Sequence, residues 1–379
     1  MHTTPKREFI PFALEREMSR WEKIVSFNIS ESGVWPISLK ELIQDDAFLQ
    51  QLLDAPLDYP HVQGRPALRE RIAHLYDGKA NADNVLVTVG GAGANHAILS
   101  SLLKPGDQAA FMTPNYLQLW GIAQNNGIHC QTFSLRDADD WRLDRDELKR
   151  AINPQTKVVF VCNPNNPTGK VLSPSEMSAV LEAAADVGAW LVADEVYRGA
   201  EREAAEITPS FWGKYERVIV CGSLSKAYGL PGLRLGWLVA PPAILEECAA
   251  RQDYTTITAG LLANLIAEYA LQPAVLQRIR QRTRNLLREG YALLEEWGME
   301  QGQRFTWVPP QAGAIAFIRY RPTVPSEEFV RRLAEAESTY AAPGAHFGVE
   351  QHIRISYGLP PDFLRMALDR VSRVVDFFS

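Results

Sequence analysis

Cysteine is scarce and dispersed: Cys130, Cys162, Cys221 and Cys248 are spread over 379 residues with no CxxC pair. That pattern supports neither a disulfide framework nor a zinc ribbon, and Cys162 and Cys221, in apolar runs, are expected as reduced core thiols. The seven histidines, His2, His61, His74, His96, His129, His346 and His352, show no metal-ligand spacing, so no metal is expected. There is no long basic run, and the net charge of −6 argues against nucleic acid or an anionic membrane as the main partner. No apolar stretch is long enough to span a bilayer, and Met1 to Glu8 has charges but no apolar core of a signal peptide. A cytoplasmic location is the expectation. Internal repeats, low-complexity segments and a Ser/His/Asp pattern are also missing.

What is present is a large, ordinary globular composition. Hydrophobic residues at 46% and a length of 379 allow a big core and two lobes. The chain centres on Ser223-Leu224-Ser225-Lys226-Ala227-Tyr228-Gly229-Leu230-Pro231-Gly232-Leu233-Arg234-Leu235-Gly236. It follows the apolar run 218–221, expected as a buried parallel strand. Two hydroxyls, a lysine and an arginine are thus delivered past the carboxyl end of a strand, where open α/β sheets bind ligands. Hydroxyls and a guanidinium suit a phosphate, and a lysine among apolar residues can be a neutral amine. A neutral amine beside a phosphate site is what a pyridoxal phosphate Schiff base requires.

Further strands are expected at Val85–Val89 and Gln108–Thr113, and at residues 157–162 and 189–193, alternating with helices. The first leads to Gly90-Gly91-Ala92-Gly93-Ala94 and a helix to Leu103, a turn that offers free N–H groups and a positive dipole end to an anion. Its glycine spacing is not that of a dinucleotide fingerprint. The strand 189–193 runs into Asp194-Glu195-Val196-Tyr197. A carboxylate there needs a charged partner, for which a protonated pyridine nitrogen would serve Asp194, while Glu195 is expected as a solvated or structural charge. Helical patterns are expected over residues 39–53, 173–188, 243–271, 273–297 and 327–337, with a short helix within 9–21.

The lysine stretch resembles the signature of the class I/II aminotransferases, the fold-type I PLP enzymes, as do Asn163-Pro164-Asn165-Asn166-Pro167-Thr168-Gly169 and the small-domain run Pro343-Gly344…Phe347-Gly348 with Arg354-Ile355-Ser356. The resemblance extends from Gly33 to Arg354. It implies an α/β fold: a large domain with a mostly parallel mixed sheet between helices at 54–280, and a small α+β domain from 1–53 and 281–379. It implies pyridoxal 5'-phosphate as cofactor, with Lys226 carrying the Schiff base and moving the α-proton, and Asp194 on the pyridine nitrogen. Asn166 and Tyr197 would bind the phenolic oxygen, Tyr116 would stack on the ring, and Gly91, Ala92, Ser223, Ser225 and Arg234 would hold the phosphate. Tyr59, in Asp58-Tyr59-Pro60, would reach the phosphate of the neighbouring subunit of a homodimer. Arg354 would clamp the substrate carboxylate, and the segment of Gly33 would lie over the substrate.

The activity so implied is transfer of an amino group from an L-amino acid to a 2-oxo acid. A second reading, elimination, replacement or cyclisation of a functionalised amino acid, follows from a similarity of Ser32-Gly33-Val34, residues 224–234 and Asp253-Tyr254 to capreomycidine synthase-like members. A third, an effector sensor fused to a DNA-binding module, lacks the basic recognition helix. The region of Arg251-Gln252-Asp253-Tyr254 is expected to border the substrate pocket. Nothing in the sequence places an arginine against a distal carboxylate, so acidic side-chain preference has no support.

Overall fold

A computed structural model describes residues 8–378; the expectation about the N-terminus, from Met1 to Arg7, lies outside them. Eight strands form the main sheet: β1 Val85–Val89, β2 Gln108–Thr113, β3 His129–Arg136, β4 Arg142–Leu143, β5 Thr156–Cys162, β6 Trp190–Asp194, β7 Val218–Ser223 and β8 Leu235–Val239. Their spatial order is β1-β8-β7-β6-β5-β2-β3-β4. The central pairs β7/β6, β6/β5, β5/β2 and β2/β3 are parallel, whereas β8 is antiparallel to both β1 and β7. Because β1 and β7 both oppose β8, they run the same way. The carboxyl ends of β1, β2, β5, β6 and β7 therefore share one edge. Every residue of β7 and β8 is buried, which accounts for their unbroken apolar sequence.

Helices flank this sheet. Helix α1 is Ala13–Trp21, α2 is Gly90–Leu102 and α3 is Pro174–Asp186. The start of α3 is set by a capping box: Ser173 N donates to Glu176 Oε2 at 2.7 Å and Glu176 N donates to Ser173 Oγ at 3.3 Å. With Pro174 in the first turn, such a cap stabilises the helix by about 1 kcal/mol. Helix α4 is Pro242–Gln252 and α5 is the 29-residue Pro273–Gln301.

A smaller antiparallel sheet uses β9 Phe305–Thr306, β10 Ile315–Tyr320, β11 Ala342–Pro343 and β12 His352–Ser356, in the order β9-β10-β12-β11. Helices α6 Ser326–Glu337 and α7 Pro361–Asp376 accompany it. The N-terminal arm joins through Phe27–Asn28, parallel to Thr339–Tyr340, and Ser356 N donates to Ile29 O at 2.7 Å.

The structure departs from the sequence expectations at several elements. The helix expected over 39–53 is two, Leu39–Leu42 and Asp46–Leu53, because Asp45 leaves the helix and its carboxylate caps the N–H groups of Ala47 and Phe48. The run 243–271 is likewise split, into α4 and Leu261–Ala270, with Ile257 at φ 61° between them. Helix α2 begins at Gly90 itself rather than beyond Ala94. Strand β3, whose first six residues are exposed or half-buried except Phe133, carries too few buried positions to be recognised from apolar pattern.

Candidate active site

The shared strand edge opens into a cavity of about 440 Å³. Lys226 lies in its wall, past the end of β7. Burial and the nearby Arg354 and Arg234 guanidinium groups pull its amine below the ordinary lysine range, opposed by Glu31 and Glu15. Glu31 Oε2 is 3.9 Å from Lys226 Nζ. The backbone of the N-terminal arm passes directly across the lysine. Val34 N donates to Lys226 O at 3.4 Å, and a Cβ on Gly33 would lie 3.0 Å from Ser225 O. Gly33 is there because the two chains nearly touch.

Asp194 ends β6 and faces the same cavity. Burial raises its pKa to about 6, while the Val196 N–H, which donates to Oδ1 at 3.1 Å, the Asn95 side chain and the Lys226 charge favour the carboxylate. Asn95, on the first turns of α2, lines the cavity and is 3% exposed, and its Oδ1 has no partner. The stretch Ala94-Asn95-His96-Ala97-Ile98 marks Asn95 only as one of two polar side chains in the first half of the helix.

The N-terminus of α2 carries no side-chain cap, leaving its amides open toward Gly91 and Ala92 in the cavity wall. Gly90 has φ 67°, and a Cβ there would sit 2.6 Å from Arg234 Nη2. Arg234, itself at φ 48°, donates to Ser225 Oγ at 3.5 Å, and Ser225 N donates to Ser223 Oγ at 3.2 Å. Two hydroxyls, a guanidinium and a helix N-terminus thus converge on one anion-sized corner.

Asn166 and Tyr197 also line the cavity. The Tyr197 phenol is pushed up by burial, against the pull of the Arg354 charge and a hydrogen bond with Ser32. Arg354, in the middle of β12, is 2% exposed. Its Nη1 donates to Asn166 Oδ1 at 2.9 Å, its Nη2 to Ser30 O, and its Nε has no partner. Tyr116 contributes its ring, with Phe12 edge-on at 5.0 Å, and its hydroxyl donates to Glu15 Oε1 at 2.6 Å.

Tyr59 is elsewhere: its side chain is 80% exposed, outside the cavity of its own chain. Residues 251–254 do not border the pocket, contrary to expectation. Arg251 is held by Ser100 O and Glu247, Gln252 is turned inward to Val87 O and Ile257 O, and Tyr254 is 95% exposed. Glu195 is structural rather than solvated. It is buried, Oε1 accepts from Ser210 Oγ at 3.0 Å and Phe211 N at 2.8 Å, and burial lifts its pKa to about 7. None of the four cysteines forms a disulfide among the described residues. Among the described residues there is no His/Cys/Asp/Glu group fit for a metal and no helix long and apolar enough to cross a membrane.

The whole-chain comparison agrees with this geometry. Residues 37–371 match the model of aminotransferase class I and II. The chain belongs to that family. Its members' fold is the fold-type I PLP-dependent architecture, and the cofactor is pyridoxal 5'-phosphate. Within the family the chain is similar to capreomycidine synthase of Streptomyces vinaceus, 28% identical over 292 residues, which is 76% of this chain and 73% of that one. A PLP-dependent aminotransferase from Streptococcus suis superposes with a TM-score of 0.91 at 29% identity, covering 98% of this chain and 99% of its own. The PLP-dependent cyclase OrfR superposes with a TM-score of 0.88 at 30% identity, covering all of both chains.

The residues fit the family's cofactor. The cradle that a Cβ on Gly90 would fill, the uncapped helix and Arg234 suit a phosphate, and the unpartnered Asn95 Oδ1 and anionic Asp194 lie where polar ring atoms need partners.

Proposed function

We propose that this family member is an aminotransferase that moves an amino group from an L-amino acid to a 2-oxo acid. The observation that carries the reading is the convergence of a depressed lysine, a buried carboxylate and a buried arginine in one cavity. When bound, the cofactor supplies an electron sink for the charge that develops at the substrate α-carbon. Gly91, Ala92, Ser223, Ser225 and Arg234 hold its phosphate. Asp194, ionised above about pH 6, keeps the ring nitrogen protonated, and Val196 N–H and Asn95 hold that carboxylate in place. Asn166 and Tyr197 would bind the phenolic oxygen, and Tyr116 would stack on the ring.

Arg354 takes the substrate carboxylate through its free Nε and the edge of a fork already held by Asn166 and Ser30. The arm at Gly33 closes over the substrate and keeps water from it. Lys226 would hold the cofactor, and its Nζ as a neutral amine would take the substrate α-proton and return it to the cofactor's C4′ carbon, a transfer whose rate would rest on fixed geometry.

The reading includes a homodimer in the cytoplasm, with the exposed Tyr59 reaching a neighbouring phosphate, and a division into a large lobe at 54–280 and a small lobe from 1–53 and 281–379. The similarity to capreomycidine synthase and to the cyclase OrfR favours a second reading, cyclisation or elimination on the same cofactor. Absorption spectra of the holoenzyme with single amino acids and no acceptor separate the two. Transamination converts the cofactor to its amine form with one equivalent of 2-oxo acid. A product released without that conversion overturns the aminotransferase reading in favour of the second.

A further inference from the structure

We propose that the substrate is a basic amino acid, a straight chain ending in a guanidinium or ammonium group, whose distal cation is bound by the carboxylates of Glu15, Glu22 and Glu31. The inference rests on the reading of the site given above.

Seven charged side chains line the cavity: Lys226, Arg234 and Arg354, with Asp194, Glu15, Glu22 and Glu31. The cofactor and the substrate carboxylate occupy all three cations, and the ring nitrogen occupies Asp194. Three carboxylates are left over, all on the N-terminal segment. Glu15 lies within α1, Glu22 follows it, and Glu31 lies in the arm. Glu15 and Glu22 form no ion pair among the described residues, and Glu31 pairs at 3.9 Å with Lys226, the lysine that would hold the cofactor. Glu15 Oε1 accepts only the neutral Tyr116 hydroxyl. Filling the cavity with a neutral side chain would strip water from these groups and leave them unpaired, which is costly. A distal cation turns the same wall into charge-assisted hydrogen bonds.

The other end of the ligand is marked independently. Arg354 is 2% exposed and its Nε is unpartnered, so the buried end of the cavity calls for a carboxylate. Between the two ends α1 and the residue before it present Phe12, Leu14 and Met18 to the cavity, an apolar surface suited to methylene groups. The cavity thus offers an arginine to a carboxylate, apolar surface to methylene groups and carboxylates to a cation.

The test is titration of the PLP-loaded protein with L-arginine, L-lysine, L-citrulline and L-norleucine, followed by the cofactor's absorbance and, separately, by the heat of binding. Citrulline keeps the length of arginine with a neutral urea, and norleucine keeps the chain of lysine without its amine. Arginine or lysine should half-saturate at a concentration about tenfold or more below its neutral counterpart, and the better of the two names the cation. Glu22→Gln and Glu15→Gln should each weaken the basic ligand about fivefold or more while holding citrulline and norleucine within about twofold. Glu22→Gln is free of any effect through Tyr116. Neutral ligands that match the basic ones, Gln variants that weaken both kinds alike, or silence toward both basic amino acids overturn the inference. Conversion of the cofactor by neutral amino acids alone does so while leaving the aminotransferase reading intact. A cofactor spectrum that Lys226→Ala does not change counts against the site itself.

Discussion

The cavity has two walls of different construction. One is the carboxyl edge of the main sheet, where Asp194, Ser223 and the start of α2 sit at the ends of strands that are buried along their length. Their positions follow from the ladder: Asp194 pairs with Cys162 on one side and Cys221 on the other. The other wall is the N-terminal segment with Arg354. It is fastened by the short pairing of 27–28 with 339–340 and by contacts from distant parts of the chain: Tyr116 to Glu15, Ile29 to Ser356, Ser30 to Arg354. The difference teaches that one wall is defined by backbone held in a rigid sheet, and the other by an arm and side chains brought in from distant parts of the chain. Substitutions on the first wall should abolish chemistry, and those on the second should change which ligand is held.

The largest effect tests the first wall. Lys226→Ala should lower turnover by about 10³-fold or more, with loss of the absorbance of lysine-bound cofactor. Turnover close to wild type would break the comparison at its root. Asp194→Asn should cost about 10²–10³-fold in kcat. The ligand-free carboxylate has a pKa of about 6, so retention of cofactor by the native protein should fall as pH drops through about 6. The Asn variant should lack that dependence, which dialysis at stepped pH would reveal.

On the second wall, Arg354→Lys should raise KM for the amino acid by about tenfold or more with a smaller change in kcat, because an ammonium cannot reproduce the fork that Asn166 and Ser30 hold. An equal loss in kcat would place Arg354 with the chemical machinery instead. The smallest effect sharpens the contrast within one strand end. Glu195 adjoins Asp194 but turns into the core toward Ser210 and Phe211. Its pKa is raised from 4.5 to about 7, so its contribution to stability is complete below about pH 4.5 and is lost as pH rises through 7. Glu195→Gln should flatten the fall in melting temperature between pH 5 and 8 with little change in kcat. A pH profile identical to the native one would show that Glu195 does not titrate there.

Legibility followed the same division. The lysine stretch, the glycine-rich turn and the Asn166 turn were legible as pieces of one cavity wall because they are runs of consecutive residues at strand ends, where local pattern and chemistry coincide. Arg354 was readable only through its flanking motif. Glu15, Glu22, Glu31 and Asn95 were missed, since a lone polar side chain on a helix or in a loop has the same sequence signature whether it faces water or a cavity. Residues 251–254 erred the other way: their place in the chain suggested the border of a pocket, yet Gln252 turns into the core and Tyr254 out to solvent.

By itself the sequence determined the alternation of strands and helices and the residues at the strand ends, because apolar runs and turn chemistry act over a few neighbouring positions. Only the tertiary structure decided what those residues face. Lys226 meets Glu31 at 3.9 Å from 195 positions away, and Arg354 meets Asn166 at 2.9 Å across two sheets. Such pairs are set by how the N-terminal arm and the small sheet pack over the strand edge, a long-range consequence of burying both apolar faces at once.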